Sequence, residues 1–148
     1  MSSAVKSSIL HYLGLVYYKT QHYDLALMNF LASLQTRKTL NTANNSPVTE
    51  SLFYTGASYL RLRDVKNATV NLDECMNLLE EIRPSWNFLV FVDEIVNLTD
   101  ILVDMQEYER ALRYNQVAFT LLETVFPHDH IKKAISYKVL GRVYSLNL

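Results

Sequence analysis

Leu13-Gly14-Leu15-Val16-Tyr17 opens a pattern that recurs along the chain at a nearly constant interval. Ala26 and Phe30 complete its first copy, on what the spacing predicts to be a second helix. The positions corresponding to Gly14, after successive intervals of 42, 43 and 42 residues, are Gly56, Thr99 and Gly141. In the first three copies an alanine follows 12 residues later. A period near 40 residues with apolar helical spacing indicates one supersecondary unit stacked on copies of itself.

The composition is that of a small globular and almost wholly helical protein. The chain has 148 residues, of which 49% are hydrophobic and 20% are charged, enough for one domain with a continuous core. Only three glycines and three prolines are present, so β-hairpin turn chemistry is scarce. The net charge of −1 gives no reason to expect nucleic acid or an anionic membrane as a partner.

Cys75 is the only cysteine, which excludes an internal disulfide framework and a cysteine-based zinc site. The repeat register aligns it with Ser33 and Ala118, and this indicates a small buried position. A free thiol suits a reducing compartment. Because the sequence shows neither a signal-peptide core nor a long apolar run, we expect a soluble, cytoplasmic domain.

The apolar spacing predicts seven helices joined by short turns and grouped into antiparallel pairs. The first carries an apolar set at helical spacing that includes Val5, Ile9, Leu13 and Val16. The second is expected to bury Leu25, Ala26, Phe30, Leu31 and Leu34. Prolines at 47, 84 and 127 mark the joints between pairs. The predicted ranges are 3–19, 23–40, 47–62, 65–82, 86–104, 108–125 and a seventh helix within 128–148.

These repeated residues resemble tetratricopeptide repeats, which carry Leu-Gly and Tyr on a first helix and Ala and an aromatic residue on a second. The usual period of that family is about 34 residues, and the longer period here is similar to the repeats of kinesin light chains. The resemblance implies an all-α, right-handed α-solenoid of about seven helices in one domain, and leaves open whether the chain is part of a longer array. Its three and a half units would span about 3–41, 47–82, 86–125 and 128–148.

No enzyme motif is present, so we expect neither catalysis nor a cofactor. The chain lacks a phosphate-cradling glycine loop, a Gly-x-Ser-x-Gly sequence and a His-Glu-x-x-His sequence. His128 and His130 are two residues apart, which does not place both on one helical face, and a joint-and-cap role is favoured over metal binding.

In tetratricopeptide domains the first helices line a concave groove, and the resemblance implies which residues would line it here. It would begin with the aromatic residues Tyr12, Tyr18, Phe53 and Tyr54, accompanied by Lys19 and Arg61. It would continue with a stripe at spacings of 4, 3 and 4 residues, formed by Asp93, Asn97, Asp100 and Asp104. Lys138 and Arg142 could face that stripe. The alternatives are that acids and bases neutralise each other or face water, and that the aromatic rings fill the space between helices.

Three functions remain open at this point. The first is a non-catalytic module that binds a peptide or a partner protein in the groove, with aromatic anchors and the aspartate stripe selecting a basic or polar flank. The second is a structural module of a larger assembly that uses its ends and outer ridges. The third is a regulatory segment attached to an enzyme.

The last predicted helix lacks a second helix to pair with, and it carries an apolar set formed by Ile135, Val139, Val143 and Leu146. We therefore expect an exposed apolar patch of interface size at this end. Further repeats or a second copy of the chain would cover it, the latter giving a two-fold dimer. The alternative is a helix that bends back and caps itself.

Overall fold

Six α-helices make up most of the chain. The computed structural model describes residues 1–40, 45–81 and 86–125, together with residues 134, 137–138, 140–141 and 144–145. The described residues contain no β-strand, which confirms the all-α prediction. The helices are α1 (Ser3–Lys19), α2 (Tyr23–Leu40), α3 (Ser46–Arg61), α4 (Val65–Glu81), α5 (Trp86–Asp104) and α6 (Tyr108–Val125).

The helix boundaries follow the sequence prediction to within one residue, because local signals set them. The Ser2 Oγ atom caps α1 by accepting a hydrogen bond from the Val5 N–H at 3.2 Å. Pro47 lies in the first turn of α3, where its missing N–H costs nothing. The Asp64 carboxylate accepts hydrogen bonds from the side chain and backbone N–H of Asn67, and these lower the pKa of Asp64.

A seventh helix is only partly within the described residues. The seven described residues after Val125 all have helical conformation. The rest of this predicted helix lies outside the described residues, as do the joints at Pro84 and Pro127.

The three turns between paired helices share one geometry, repeated at the period of the sequence. Each contains one non-glycine residue in the left-handed region: Gln21, Arg63 and Gln106 have φ values of 65°, 65° and 63°. In each turn the next residue donates its backbone N–H to a carbonyl five residues back, at 2.8 to 2.9 Å. This is the pattern in which a left-handed residue ends a helix. The repeat is therefore a feature of backbone geometry as well as of sequence.

The chain forms two compact units, residues 1–78 and 79–148. In the first unit α1 packs against α2, and α3 packs against both. In the second unit α5 packs against α6. Adjacent helices in the sequence are thus packed as pairs, as the short turns require.

Two of the repeated glycines lie where helices approach most closely. A Cβ atom on Gly14 would lie 2.6 Å from Cε1 of Phe30, and one on Gly56 would lie 2.6 Å from Cγ of Leu72. Such distances leave no room for a methyl group. No described atom lies within 4 Å of the corresponding position at Gly141, so the close approach predicted there is not found. The alanines of the pattern, Ala26, Ala68 and Ala111, are completely buried.

The small buried position predicted for Cys75 is confirmed. Ser33, Cys75 and Ala118 are all completely buried. The Ser33 hydroxyl donates to the Ser7 carbonyl at 2.8 Å, and the Cys75 thiol donates to the Thr49 carbonyl at 3.5 Å. The two acceptors are each 26 residues upstream of their donors. Burial first, and then the charge of Glu74, raise the pKa of Cys75, so its thiol stays protonated and inert.

The first two helices expose aliphatic residues at positions where helical spacing suggested a core. α1 packs through Ser7, His11, Gly14 and Tyr18, and its aliphatic residues lie on the opposite side, exposed. In α2 the predicted burial of Ala26, Phe30 and Leu34 is confirmed, whereas that of Leu25 and Leu31 is wrong. The small residues of α1 allow the close approach to α2, and this fixes which side of α1 faces the core.

Candidate functional site

Aromatic residues from α1, α2 and α3 form one connected cluster in the first unit. The Tyr54 ring stacks on the Phe30 ring with their centroids 5.3 Å apart, and it meets the rings of Tyr18 at 5.7 Å and Phe53 at 5.1 Å edge to face. Ring separations of this size are favourable for aromatic pairs. We call this the aromatic cluster; its members are His11, Tyr18, Tyr23, Phe30, Phe53 and Tyr54.

The predicted groove aromatics differ sharply in accessibility. Phe53 is completely buried and Tyr18 is 8% exposed, so both fill space between helices in this conformation. Tyr54 is half-buried. Tyr12 is 65% exposed, and its ring lies edge to face with His11 at 6.0 Å. The alternative of ring filling thus applies to Phe53 and Tyr18, while Tyr12 and part of Tyr54 face solvent.

A buried polar group lies under one end of the cluster. The His11 side chain is completely buried, and its Nε2 atom lies 2.7 Å from Oε1 of Glu50. This is the distance of an ion pair, although its angle is not that of a regular hydrogen bond, and Nδ1 of His11 has no hydrogen-bond partner among the described residues. Burial alone would raise the pKa of Glu50, but the contact with His11 and the charge of Arg37 hold it below its ordinary value.

Arg37 completes this polar group from α2. Its Nη1 atom donates to the Pro47 carbonyl at 3.0 Å and to the Ser51 hydroxyl at 2.9 Å. Burial lowers the pKa of Arg37, and the nearby charge of Glu50 opposes that effect, so the guanidinium remains a cation. The sequence held a signal for this residue, because Arg37 is in register with the buried Leu79 and Leu122.

A cation lies at the other end of the cluster. The Arg61 Nε atom donates to the Tyr18 hydroxyl at 3.2 Å. Its guanidinium carbon lies 5.9 Å from the Tyr18 ring centroid and 5.8 Å from that of Tyr23, within the range of cation–π attraction. Lys19 is exposed.

Glu50, Tyr54 and Arg61 lie along one side of α3, because their spacing of 4 and 7 residues matches the helical period. Together with Tyr12 they form a surface that we call the aromatic face. It has a carboxylate near the start of α3 and a guanidinium at its end. Such a surface can distinguish the two ends of a ligand lying along it.

The corresponding side of α5 carries the acidic stripe. Asp93, Asn97 and Asp104 are exposed, and Asp100 is half-buried. Asn97 donates from Nδ2 to the Glu94 carboxylate at 3.2 Å. Lys138 is helical and exposed, but Arg142 lies outside the described residues, so the predicted pairing with the stripe stays a prediction. The four residues of the C-terminal apolar set also lie outside the described residues.

The described part of the chain offers no group of three His, Cys, Asp or Glu side chains that could hold a metal ion. Within that part, none of the helices combines the length and apolar character that crossing a bilayer requires. Comparisons with protein-family models, with curated proteins and with solved structures found no match to this chain.

Proposed function

We propose that this chain is a non-catalytic protein–protein interaction module that binds a peptide or an extended segment of a partner protein along the aromatic face. The observation that carries the proposal is an exposed tyrosine, Tyr12, standing beside a packed aromatic cluster with opposite charges at its two ends. Exposed tyrosines supported by rigid packing are typical anchors of protein interfaces, because they supply contact area at a low cost in side-chain entropy.

The charges suggest how a ligand would lie. Glu50 keeps a carboxylate whose side chain is 39% exposed, and its lowered pKa keeps it ionised at neutral pH. Arg61 is half-buried at the opposite end of the same helix. A ligand with a basic residue near Glu50 and an acidic residue near Arg61 would match both ends.

The resemblance to tetratricopeptide repeats supports the same function. The aromatic face lies on α1 and α3, the first helices of their pairs, and first helices line the groove in that family. A concave α-solenoid built from these pairs, working in the cytoplasm without a cofactor, is part of this proposal. The acidic stripe of α5 would extend the binding surface for a basic or polar flank of the partner.

A displayed library of random peptides, selected against the purified chain, tests the proposal. Tyr12→Ala should weaken the binding of selected peptides by roughly tenfold, as expected for the loss of an interface anchor. Tyr144→Ala is the matched control, because Tyr144 is 60% exposed and Tyr12 is 65% exposed. If no peptide is enriched, or if the selected peptides bind both variants equally, the aromatic face is not the binding surface.

A second candidate function is a structural module that assembles through its ends and outer ridges. The exposed aliphatic residues of α1 favour it, since they lie on the side of the helix opposite the packed residues.

A further inference from the structure

One side of α1 presents a continuous row of aliphatic side chains to solvent. We call it the outer stripe; its members are Val5, Ile9, Leu13 and Val16, which are between 43% and 59% exposed. Their spacing of 4, 4 and 3 residues places them on one side of the helix. The residues through which α1 packs, such as His11 and Gly14, lie on the other side. A contiguous apolar surface of this kind marks an interaction site.

The repeat shows what covers the equivalent surface elsewhere in the same chain. Moving 42 residues along the sequence takes Ile9, Leu13 and Val16 to Ser51, Thr55 and Ser58 of α3. Those three residues are completely buried. The helix that packs against α3 here is α2, the second helix of the preceding pair, and Arg37 of α2 reaches Ser51 directly. The same face of a first helix is thus covered by a second helix on α3 and exposed on α1.

We propose that the outer stripe docks an amphipathic helix of a partner protein, seated as α2 is seated on α3, with acidic side chains flanking its apolar row. This inference does not rest on the aromatic face or on the peptide-binding function. The large aliphatic residues of the stripe replace small polar ones on α3, so the docked helix would be held by apolar contact, without a counterpart of the Arg37–Ser51 hydrogen bond.

The charges of α1 favour a partner over a second copy of the chain. α1 contains no Asp or Glu, and Lys6 and Lys19 are exposed on the two sides of the outer stripe, near its two ends. Two α1 helices packed through the stripe, in either direction, would bring lysine against lysine. A helix with glutamates beside its apolar row would instead pair with them.

Two synthetic helical peptides provide the test. Both carry leucines at i, i+4, i+7 and i+11, and they differ only in having glutamates or lysines as flanking residues. Binding is measured by fluorescence anisotropy to the wild-type chain and to the triple variant Ile9→Ser, Leu13→Thr, Val16→Ser, which recreates the α3 residues on α1. Val70→Ser, at an exposed apolar position of α4, is the control. A second triple variant with glutamine at the same three positions preserves helix propensity if the first fails to fold.

We expect the glutamate-flanked peptide to bind the wild type and the Val70→Ser control equally. It should bind the folded triple variant about tenfold more weakly or worse, and the lysine-flanked peptide should bind the wild type more weakly by a similar factor. Absence of binding to the folded wild type, equal binding to the triple variant or equal binding of the two peptides would overturn the proposal. So would self-association in sedimentation that the triple variant abolishes, because the occupant would then be a second copy.

Discussion

A glycine in a first helix is required only where a second helix comes close to it. Gly14 has no room for a methyl group because Phe30 is completely buried and stacked on Tyr54. Gly14→Ala should therefore destabilise the fold by about 1–2 kcal/mol, the cost of overpacking exceeding the gain of about 1 kcal/mol in helix propensity. Gly141→Ala should keep only the gain, since open space surrounds that position. Urea unfolding of both variants measures the difference, and equal destabilisation would show that Gly14 is not a packing glycine.

The pH dependence of stability should reveal the polar group formed by His11, Arg37 and Glu50. The pKa of Glu50 is lower in the folded state, so its contribution is present above the ordinary value of 4.5 and is lost as the pH falls through the folded pKa. Glu50→Gln should therefore lower the urea midpoint relative to the wild type at pH 6, and the difference should shrink below 4.5. A difference that stays constant down to the acid transition would mean that the charge of Glu50 contributes nothing.

At the scale of the helix pair, the repeated turn carries a removable cost. Arg63 is exposed and holds a φ of 65°, which a side chain with a Cβ disfavours by roughly 1–2 kcal/mol. Glycine adopts this conformation without that cost but loses more entropy on folding. Arg63→Gly should therefore raise stability by about 0.5–1 kcal/mol, and Gln106→Gly should behave alike in thermal unfolding. Arg61→Gly, two residues earlier and still in α3, is the control and should destabilise; stabilisation of neither turn would contradict the left-handed geometry.

Helix boundaries could be predicted from the sequence because their causes are local. Ser2, Pro47 and Asp64 act within one turn of the positions that they define. The close packing at Gly14 and Gly56 could also be predicted, since each recurs with its large partner at a fixed interval. The burial of Leu25 and Leu31 could not, because helical spacing groups residues on one side of a helix but does not say whether a neighbour covers that side.

For the whole molecule, the candidate site was predictable in outline and not in detail. Inner-face register correctly brought Tyr18, Phe53, Tyr54 and Arg61 together. It did not distinguish the completely buried Phe53 from the exposed Tyr12, because that difference depends on contacts with α2 through Phe30 and His11. The partnership of His11 with Glu50 and Arg37 depends on three helices at once and could not be read from the spacing within any one of them.

Hydrogen–deuterium exchange of the chain, with and without a peptide selected from the library, tests whether the aromatic face is the binding surface. Our proposal predicts slower exchange in residues 8–19 and 50–61, which carry Tyr12, Glu50, Tyr54 and Arg61. Protection should disappear in the Tyr12→Ala variant at the same peptide concentration. Protection confined to α2, to α4 or to the second unit, with residues 50–61 unchanged, would contradict it.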